Sequence, residues 1–310
     1  MKNARWLAVV VVVLVAAGAV AMVAGCGSSS TSSSNSASPS AAASMTPTQA
    51  FTKILGHAPT GLAATIAQRG YFVVVDDPAY APQSYIDKNG KLIGFDVDTA
   101  KRLSVILGAP VHIKPVQWTA VLAGIPVGRF DLSIGSMTVT TDREKSMDFS
   151  HPYYYTQAQL IVKQGSTLIT TTAQMKGKKI GVGTGTTYAQ FLGKIPGAQV
   201  KAYATDTDTF PDLKSGRLNA VMTADLTAAQ GISSGYPFIF SGKPYYYEPL
   251  AFATQKGQTD WLALLNYAVD KMHADGSLSA MAKKWYHGFD PTQAPHTGTM
   301  NFNQALAAAP

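Results

Sequence analysis

A two-lobe α/β protein is what this sequence predicts, and three observations predict it. Short β-branched runs alternate with segments of helical periodicity, the pattern of a mostly parallel sheet with flanking helices. That alternation occurs twice, over residues 71–134 and again over residues 179–231. Finally, Gly128-Arg129-Phe130-Asp131-Leu132 in the first pass is echoed by Gly216-Arg217-Leu218-Asn219-Ala220 in the second. In each echo a helix ends at Gly and the chain enters an apolar strand. With 310 residues, 46% of them hydrophobic, the chain is long enough for one large or two ordinary domains.

The elements follow in order. Tyr71 to Asp76 reads as a buried strand after Arg69-Gly70, and Asp87-Lys88-Asn89-Gly90 as a hairpin turn. Phe95, Val97, Ala100, Leu103, Ile106 and Leu107 recur at helical spacing until Gly108 stops the helix before Pro110. Val111 to Val116 is the next strand, Ala120 to Val127 a helix, and Asp131 to Ile134 a strand. In the second pass Lys179 to Val182, Gln199 to Ala204 and Leu218 to Thr223 are strands. Thr187 to Leu192, Thr209 to Ser215 and Asp225 to Gly231 are the helices between and after them. A strand at Leu250 to Thr254 precedes a long amphipathic helix ending near Gly276, and Ser277 starts another that carries Leu278, Met281, Ala282 and Trp285. The tail after Asp290 loses periodicity and is expected to be loose or packed on the surface.

The N-terminus reads as an address. Lys2 and Arg5 precede an uncharged run from Leu7 to Val23, and Val23-Ala24-Gly25-Cys26 closes it with small residues, the order of a secretory signal. A cysteine directly after such a site resembles the bacterial lipobox, which implies cleavage after residue 25 and diacylation of Cys26. An uncleaved membrane helix is the alternative, and either exports the rest of the chain. Two acyl chains suffice for stable anchoring. Residues 28–44 hold ten Ser and no large apolar side chain, so residues 26–45 are expected to be a tether and the folded body to start near Thr46. Without Lys2 and Arg5 the chain carries 23 basic and 18 acidic residues, a mild surplus with no Lys/Arg run and so no nucleic-acid footprint. The single cysteine rules out an intramolecular disulfide and a Cys-based metal cage.

Several motifs then coincide in order: Gly94-Phe95-Asp96-Val97-Asp98, Gly128-Arg129-Phe130-Asp131, Gly135-Ser136-Met137-Thr138, Arg143-Glu144-Lys145 and Asp148-Phe149-Ser150. Lys176-Gly177-Lys178-Lys179-Ile180-Gly181-Val182, Gly185-Thr186-Thr187, Ala274-Asp275-Gly276-Ser277 and Lys283-Lys284-Trp285 follow. Over residues 64–290 this resembles the polar-amino-acid group of extracellular solute-binding proteins, family 3, of ABC importers. The resemblance implies a two-lobe venus-flytrap fold with two interlobe crossings, near Tyr154 to Gln157 and Tyr246 to Leu250. Lobe 1 would comprise residues 46–155 and 248–290, lobe 2 residues 156–247, and residues 291–310 a C-terminal tail. It implies a monomer that binds an amino acid or close analogue in the cleft, delivers it to membrane permease subunits, and uses no cofactor or metal.

A free amino acid presents a carboxylate, an ammonium and a side chain. Arg143 is the candidate for the carboxylate, since its planar fork can hold both oxygens. Thr141-Asp142-Arg143-Glu144 has capping-box spacing, which predicts that Arg143 sits in the first turn of a helix. Gly183-Thr184-Gly185-Thr186-Thr187 joins a strand to a helix and offers Gly183, Thr186 and Thr187 to the same carboxylate. It is no nucleotide loop: GK[ST] is missing, and Tyr188 stands where a third Gly would be. The resemblance implies that Asp77 and Tyr80 line the side-chain pocket beside Trp118, and that Gly135, Ser136 and Thr138 meet the ammonium and carboxylate. Two departures stand out. Gln83 replaces an aromatic, and Thr223 is followed by Ala224 where relatives carry the ammonium-binding Asp, leaving Asp225 one place later. Either Asp225 shifts in, or the ammonium is held differently.

Some flytrap proteins resemble cyclohexadienyl dehydratases, so an exported enzyme on the same fold is the alternative. Against it, the six His show no metal spacing and no GxSxG is present, so no catalytic residue is assigned.

Overall fold

The computed structural model describes residues 45–295 and 299–310. Cys26, the apolar run before it and the Ser-rich stretch to residue 44 lie outside the described residues. Thr46 caps the first helix, α1 (Pro47–Leu55): its hydroxyl accepts the Gln49 N–H while the Gln49 side chain accepts the Thr46 N–H. Helix α2 (Gly61–Arg69) leads into β1 (Phe72–Asp76). Strands β2 (Ala79–Tyr80), β3 (Ser84–Ile86) and β4 (Leu92–Ile93) form a small separate sheet, with the Asp87 carboxylate accepting the Asn89 and Lys91 N–H groups at the β3–β4 turn. Then come α3 (Phe95–Leu107), β5 (Val111–Pro115), α4 (Trp118–Gly124) and β6 (Leu132–Thr138).

The long strand β7 (Met147–Lys163) carries the chain into the second lobe. That lobe contains β8 (Lys179–Gly183), α5 (Thr187–Leu192), β9 (Gln199–Tyr203), α6 (Phe210–Ser215), β10 (Ala220–Ala224), α7 (Asp225–Ser233) and β11 (Phe238–Phe240). Strand β12 (Tyr246–Gln255) returns, followed by α8 (Thr259–Ala274), α9 (Ser277–Trp285) and α10 (Phe302–Ala308).

Among the described residues the main sheet has nine strands, in the order β5-β1-β6-β12-β7-β10-β8-β9, with β11 also on β7. Each lobe contributes a parallel trio, β5-β1-β6 and β10-β8-β9. The antiparallel pair β7–β12 joins them, running from Tyr246 against Ala158 to Gln255 against Met147 with register shifts between Leu250 and Ala253. Both strands pass through both lobes, so the two crossings are neighbouring stretches of one ribbon. In the first lobe Phe51, Phe72, Phe95, Tyr153, Phe252 and Trp261 pack together with α8. The Trp261 indole donates to the Asp131 carbonyl (3.1 Å), so its polar atom is satisfied within the core. In the second lobe the apolar cluster includes Leu160, Val182, Phe191, Met222 and Tyr246.

Three local readings are corrected. Helix α4 starts at Trp118, two residues before the predicted Ala120, because the Asp77 carboxylate accepts the Trp118 N–H (3.1 Å). Sequence spacing cannot register a cap that comes from 41 residues away. The predicted helix at Arg143 is a single 3₁₀ turn, Arg143–Lys145. Thr140, not Thr141, holds it: its hydroxyl accepts the Arg143 N–H (3.2 Å) and its carbonyl the Glu144 N–H (2.9 Å). Within the tail, residues 301–308 are neither loose nor wholly superficial. Asn301 and Gln304 form a capping box on α10, and Phe302 is buried edge-on against Tyr246, ring centroids 5.3 Å apart.

Candidate functional site

Open parallel sheets place ligands beyond the carboxyl ends of their strands. Here a cavity between the lobes is lined from those ends: Asp77 after β1, Gly135, Ser136 and Thr138 on β6, Gly183 at the end of β8, and Ala204 to Asp206 after β9. Ten of the eleven ligand-site residues predicted from the sequence lie on its wall. They are Asp77, Tyr80, Trp118, Gly135, Ser136, Thr138, Arg143, Gly183, Thr186 and Thr187. Asp225 does not. It borders a different hollow with Pro82, Leu226, Trp285 and Phe289, and its Oδ1 accepts the Gln157 N–H (3.1 Å). Burial pushes its carboxyl up to about 6. Gln83 is buried away from the cavity, its carbonyl holding the first turn of α3 through the Asp96 N–H (2.9 Å).

Arg143 is buried on this wall. Its Nη1 donates to the Thr138 carbonyl (2.9 Å), its Nη2 crosses to the Gly185 carbonyl of the second lobe (3.2 Å), and its guanidinium carbon lies 5.3 Å from the Trp118 ring centroid. Burial lowers its pKa to about 10, which leaves it a cation at neutral pH. Asp77 accepts the Ala79 N–H (2.9 Å) with one oxygen and the Trp118 N–H with the other, and burial raises its pKa. It is therefore both the turn residue before Pro78 and a wall residue.

Four of the predicted hydroxyls are already engaged, that of Thr186 by donating to the Gly183 carbonyl (2.8 Å). Ser136, at φ 49°, donates to Asp96 Oδ2 (2.6 Å) and accepts the Tyr154 hydroxyl (2.5 Å). Thr138 donates to Glu248 Oε1 (2.9 Å). Glu248, on β12, also accepts the hydroxyls of Thr187 and Tyr188 from the second lobe. One buried carboxylate thus gathers donors from both sides of the cleft.

Sequence reasoning missed Asp206, Tyr188, Thr184, Thr205, Ala79 and Ala204 on the wall. Asp206 matters most. Its Oδ1 accepts the Gly183 N–H and its Oδ2 the Thr223 hydroxyl, both at 2.8 Å, and burial pushes its carboxyl up to about 7. Its sequence signal, an Asp just beyond the carboxyl end of a parallel strand as at Asp77, is shared by Asp225 after β10 and does not by itself choose between them.

The family model described as bacterial extracellular solute-binding proteins, family 3, matches residues 72–288. The chain is 34% identical over 239 residues to the L-cystine-binding protein TcyJ of Escherichia coli (strain K12), covering 76% of this chain and 90% of that one. It is 30% identical over 225 residues to an L-arginine-binding protein of Pseudomonas aeruginosa, covering 69% and 86%. Among solved structures, the P235GK mutant of ArgBP from T. maritima superposes with a TM-score of 0.69 at 28% identity, covering 72% of this chain and 98% of that one. The chain belongs to the bacterial extracellular solute-binding proteins, family 3.

Proposed function

We propose that this protein binds an amino acid in the interlobe cavity, without converting it, and delivers it to the permease of an ABC importer. One observation carries the reading: a buried guanidinium, Arg143, shares a small interlobe cavity with two buried carboxylates, Asp77 and Asp206. A zwitterion needs charges of both signs in one place, and a desolvated site makes each of them count. Arg143 takes the carboxylate as a bidentate pair. Closure brings Gly183, Thr186 and Thr187 onto the ligand from the second lobe, while Gly135, Ser136, Thr138, Tyr80 and Trp118 complete the first. The monomeric body hangs outside the membrane from a lipid on Cys26, through the tether of residues 26–45. The names of the relatives support an amino-acid ligand.

Thermal denaturation with L-amino acids tests the reading, because a ligand that binds only the native state raises the melting temperature. Arg143→Ala should weaken binding by about ten- to a hundredfold, the loss of ~1.5–3 kcal/mol. Arg143→Lys should not restore it, since an ammonium cannot copy the fork. An Arg143→Ala protein that binds as tightly as wild type would remove the carboxylate assignment. Cys26→Ala protein still recovered in a lipid-modified form would remove the anchor.

A further inference from the structure

Net charge divides unevenly between the lobes. Residues 46–155 and 248–290 hold fourteen basic and fourteen acidic side chains, whereas residues 156–247 hold nine basic and four acidic ones. The surplus of the folded body therefore belongs to the second lobe alone.

Strand direction then sorts the signs within that lobe. Asp206 and Asp208 follow β9 and Asp225 follows β10, so three of the four acids lie at the carboxyl ends of the parallel trio, the end that also bears the ligand cavity. The fourth, Asp212, is held by Arg217. The lysines gather at the other end. Lys176 and Lys178 precede β8, Lys179 begins it, and Lys214 lies in the last turn of α6, before β10. Lys163 ends β7, which runs antiparallel to β10, so it reaches the same end. Lys163, Lys176 and Lys178 line one hollow with Asn219, whose Oδ1 accepts the Lys179 N–H (2.8 Å). Among the described residues no acid pairs with any of these five lysines.

Like charges crowded at one end repel one another, and an opposing negative surface relieves that repulsion. The loop that shares the hollow adds a second feature. Residues 164–168 are exposed, and Leu168, on the same wall as Lys163, is 43% exposed. An acidic polymer offers nothing to a leucine in water. A bilayer takes up both, with lysine heads on the phosphates and the apolar side chain at the acyl boundary. The family is extracellular, which takes this face away from the cell's nucleic acids.

We infer that this end of the second lobe docks on an anionic phospholipid bilayer, the lysines meeting the headgroups and Leu168 entering the interface. The ligand cavity lies at the opposite ends of the same strands, so docking leaves its entrance clear. The inference does not depend on which solute the cavity holds.

Lysine acetylation read by mass spectrometry tests it on the full chain, with vesicles of phosphatidylglycerol against vesicles of phosphatidylcholine. Whatever holds the N-terminus to lipid acts on both vesicles, so the difference between them reports the body. Lys176, Lys178 and Lys179 should react about tenfold more slowly on the anionic vesicles at low salt. Lys88 and Lys114, exposed on the first lobe, should react alike on both. At about 1 M salt, where the screening length is about 3 Å, the protection should vanish. Lys176→Gln with Lys178→Gln should remove most of the protection of Lys179, since two lysines near such a surface contribute about thirtyfold to binding. Leu168→Ser should lower the protection about threefold. Equal reactivity of the second-lobe lysines on the two vesicles overturns the inference. Equal protection of first-lobe and second-lobe lysines also overturns it, because the body would then have no preferred face. Protection by poly-L-glutamate but by neither vesicle assigns the face to an acidic protein and overturns it as well. The substituted side chains are exposed, and the wild-type comparison needs no variant.

Discussion

The hydroxyl of Thr207 and the carbonyl of Ala79 meet across the cleft at 3.0 Å, a bond between lobes that can form only when the cleft is shut. Such a bond contributes to the closed state and nothing to the open one, so it enters ligand affinity directly. Thr207→Val should weaken ligand binding about two- to tenfold, for ~0.5–1.5 kcal/mol, with little change in the melting temperature of the ligand-free protein. A large loss of ligand-free stability instead would mean that Thr207 holds its own lobe together.

Glu248 has a different role, because its donors belong to both lobes and to the ribbon between them. Glu248→Ala strands the buried hydroxyls of Thr138, Thr187 and Tyr188. Each unsatisfied buried group costs ~1–3 kcal/mol. The variant should unfold at clearly lower denaturant concentration and bind more weakly. Glu248→Gln, which keeps an acceptor, should lose less. Equal losses for the two variants would contradict this account.

Stability should fall as pH rises through neutrality. Burial pushes the Asp96 carboxyl up to about 8 and that of Asp206 up to about 7. The folded state therefore holds protons that the unfolded chain, with carboxyls near 3.8, has lost. The stabilisation is complete below about pH 4 and disappears as pH passes through 7 to 8, at up to ~1.4 kcal/mol per unit per group. Exposed acids such as Asp275, lowered to about 2 first of all by the Ser277 hydroxyl, have finished titrating by then. Melting temperatures of ligand-free protein should decline from pH 5 to pH 8 and level off above. Asp96→Asn should flatten the decline, and a rise over that interval would refute the assignment.

Phe302 ties the C-terminal helix to the second lobe. It is buried against Tyr246, in the cluster that also holds Phe191 and Val182. Phe302→Ala should cost ~3 kcal/mol or more. A denaturation midpoint within error of wild type would show that α10 packs without consequence.

Much of this protein was decided locally and could be read along the chain. Helix α3 is set by apolar residues at helical spacing between Gly94 and Gly108, and α5 matches its predicted span because Thr186 caps it where the strand ends. Periodicity and capping act over a few residues, so they survive in one dimension. Grouping Arg143, Trp118, Thr138 and Thr187 at a cleft required the family resemblance as well, since no local rule links residues from separate elements. What the chain could not display is which acid faces the cavity. Asp225 and Asp206 both follow parallel strands of the second lobe, β10 and β9. Only strand register and the packing of β7 decide that Asp225 turns to the Gln157 N–H while Asp206 turns to Gly183 and Thr223. The start of α4 likewise waits on Asp77, and the place of Phe302 on Tyr246, because each depends on a partner that folding alone brings near. Burial and charge at the cleft are properties of that assembled surface, and so the sign and number of its charges belong to the tertiary structure.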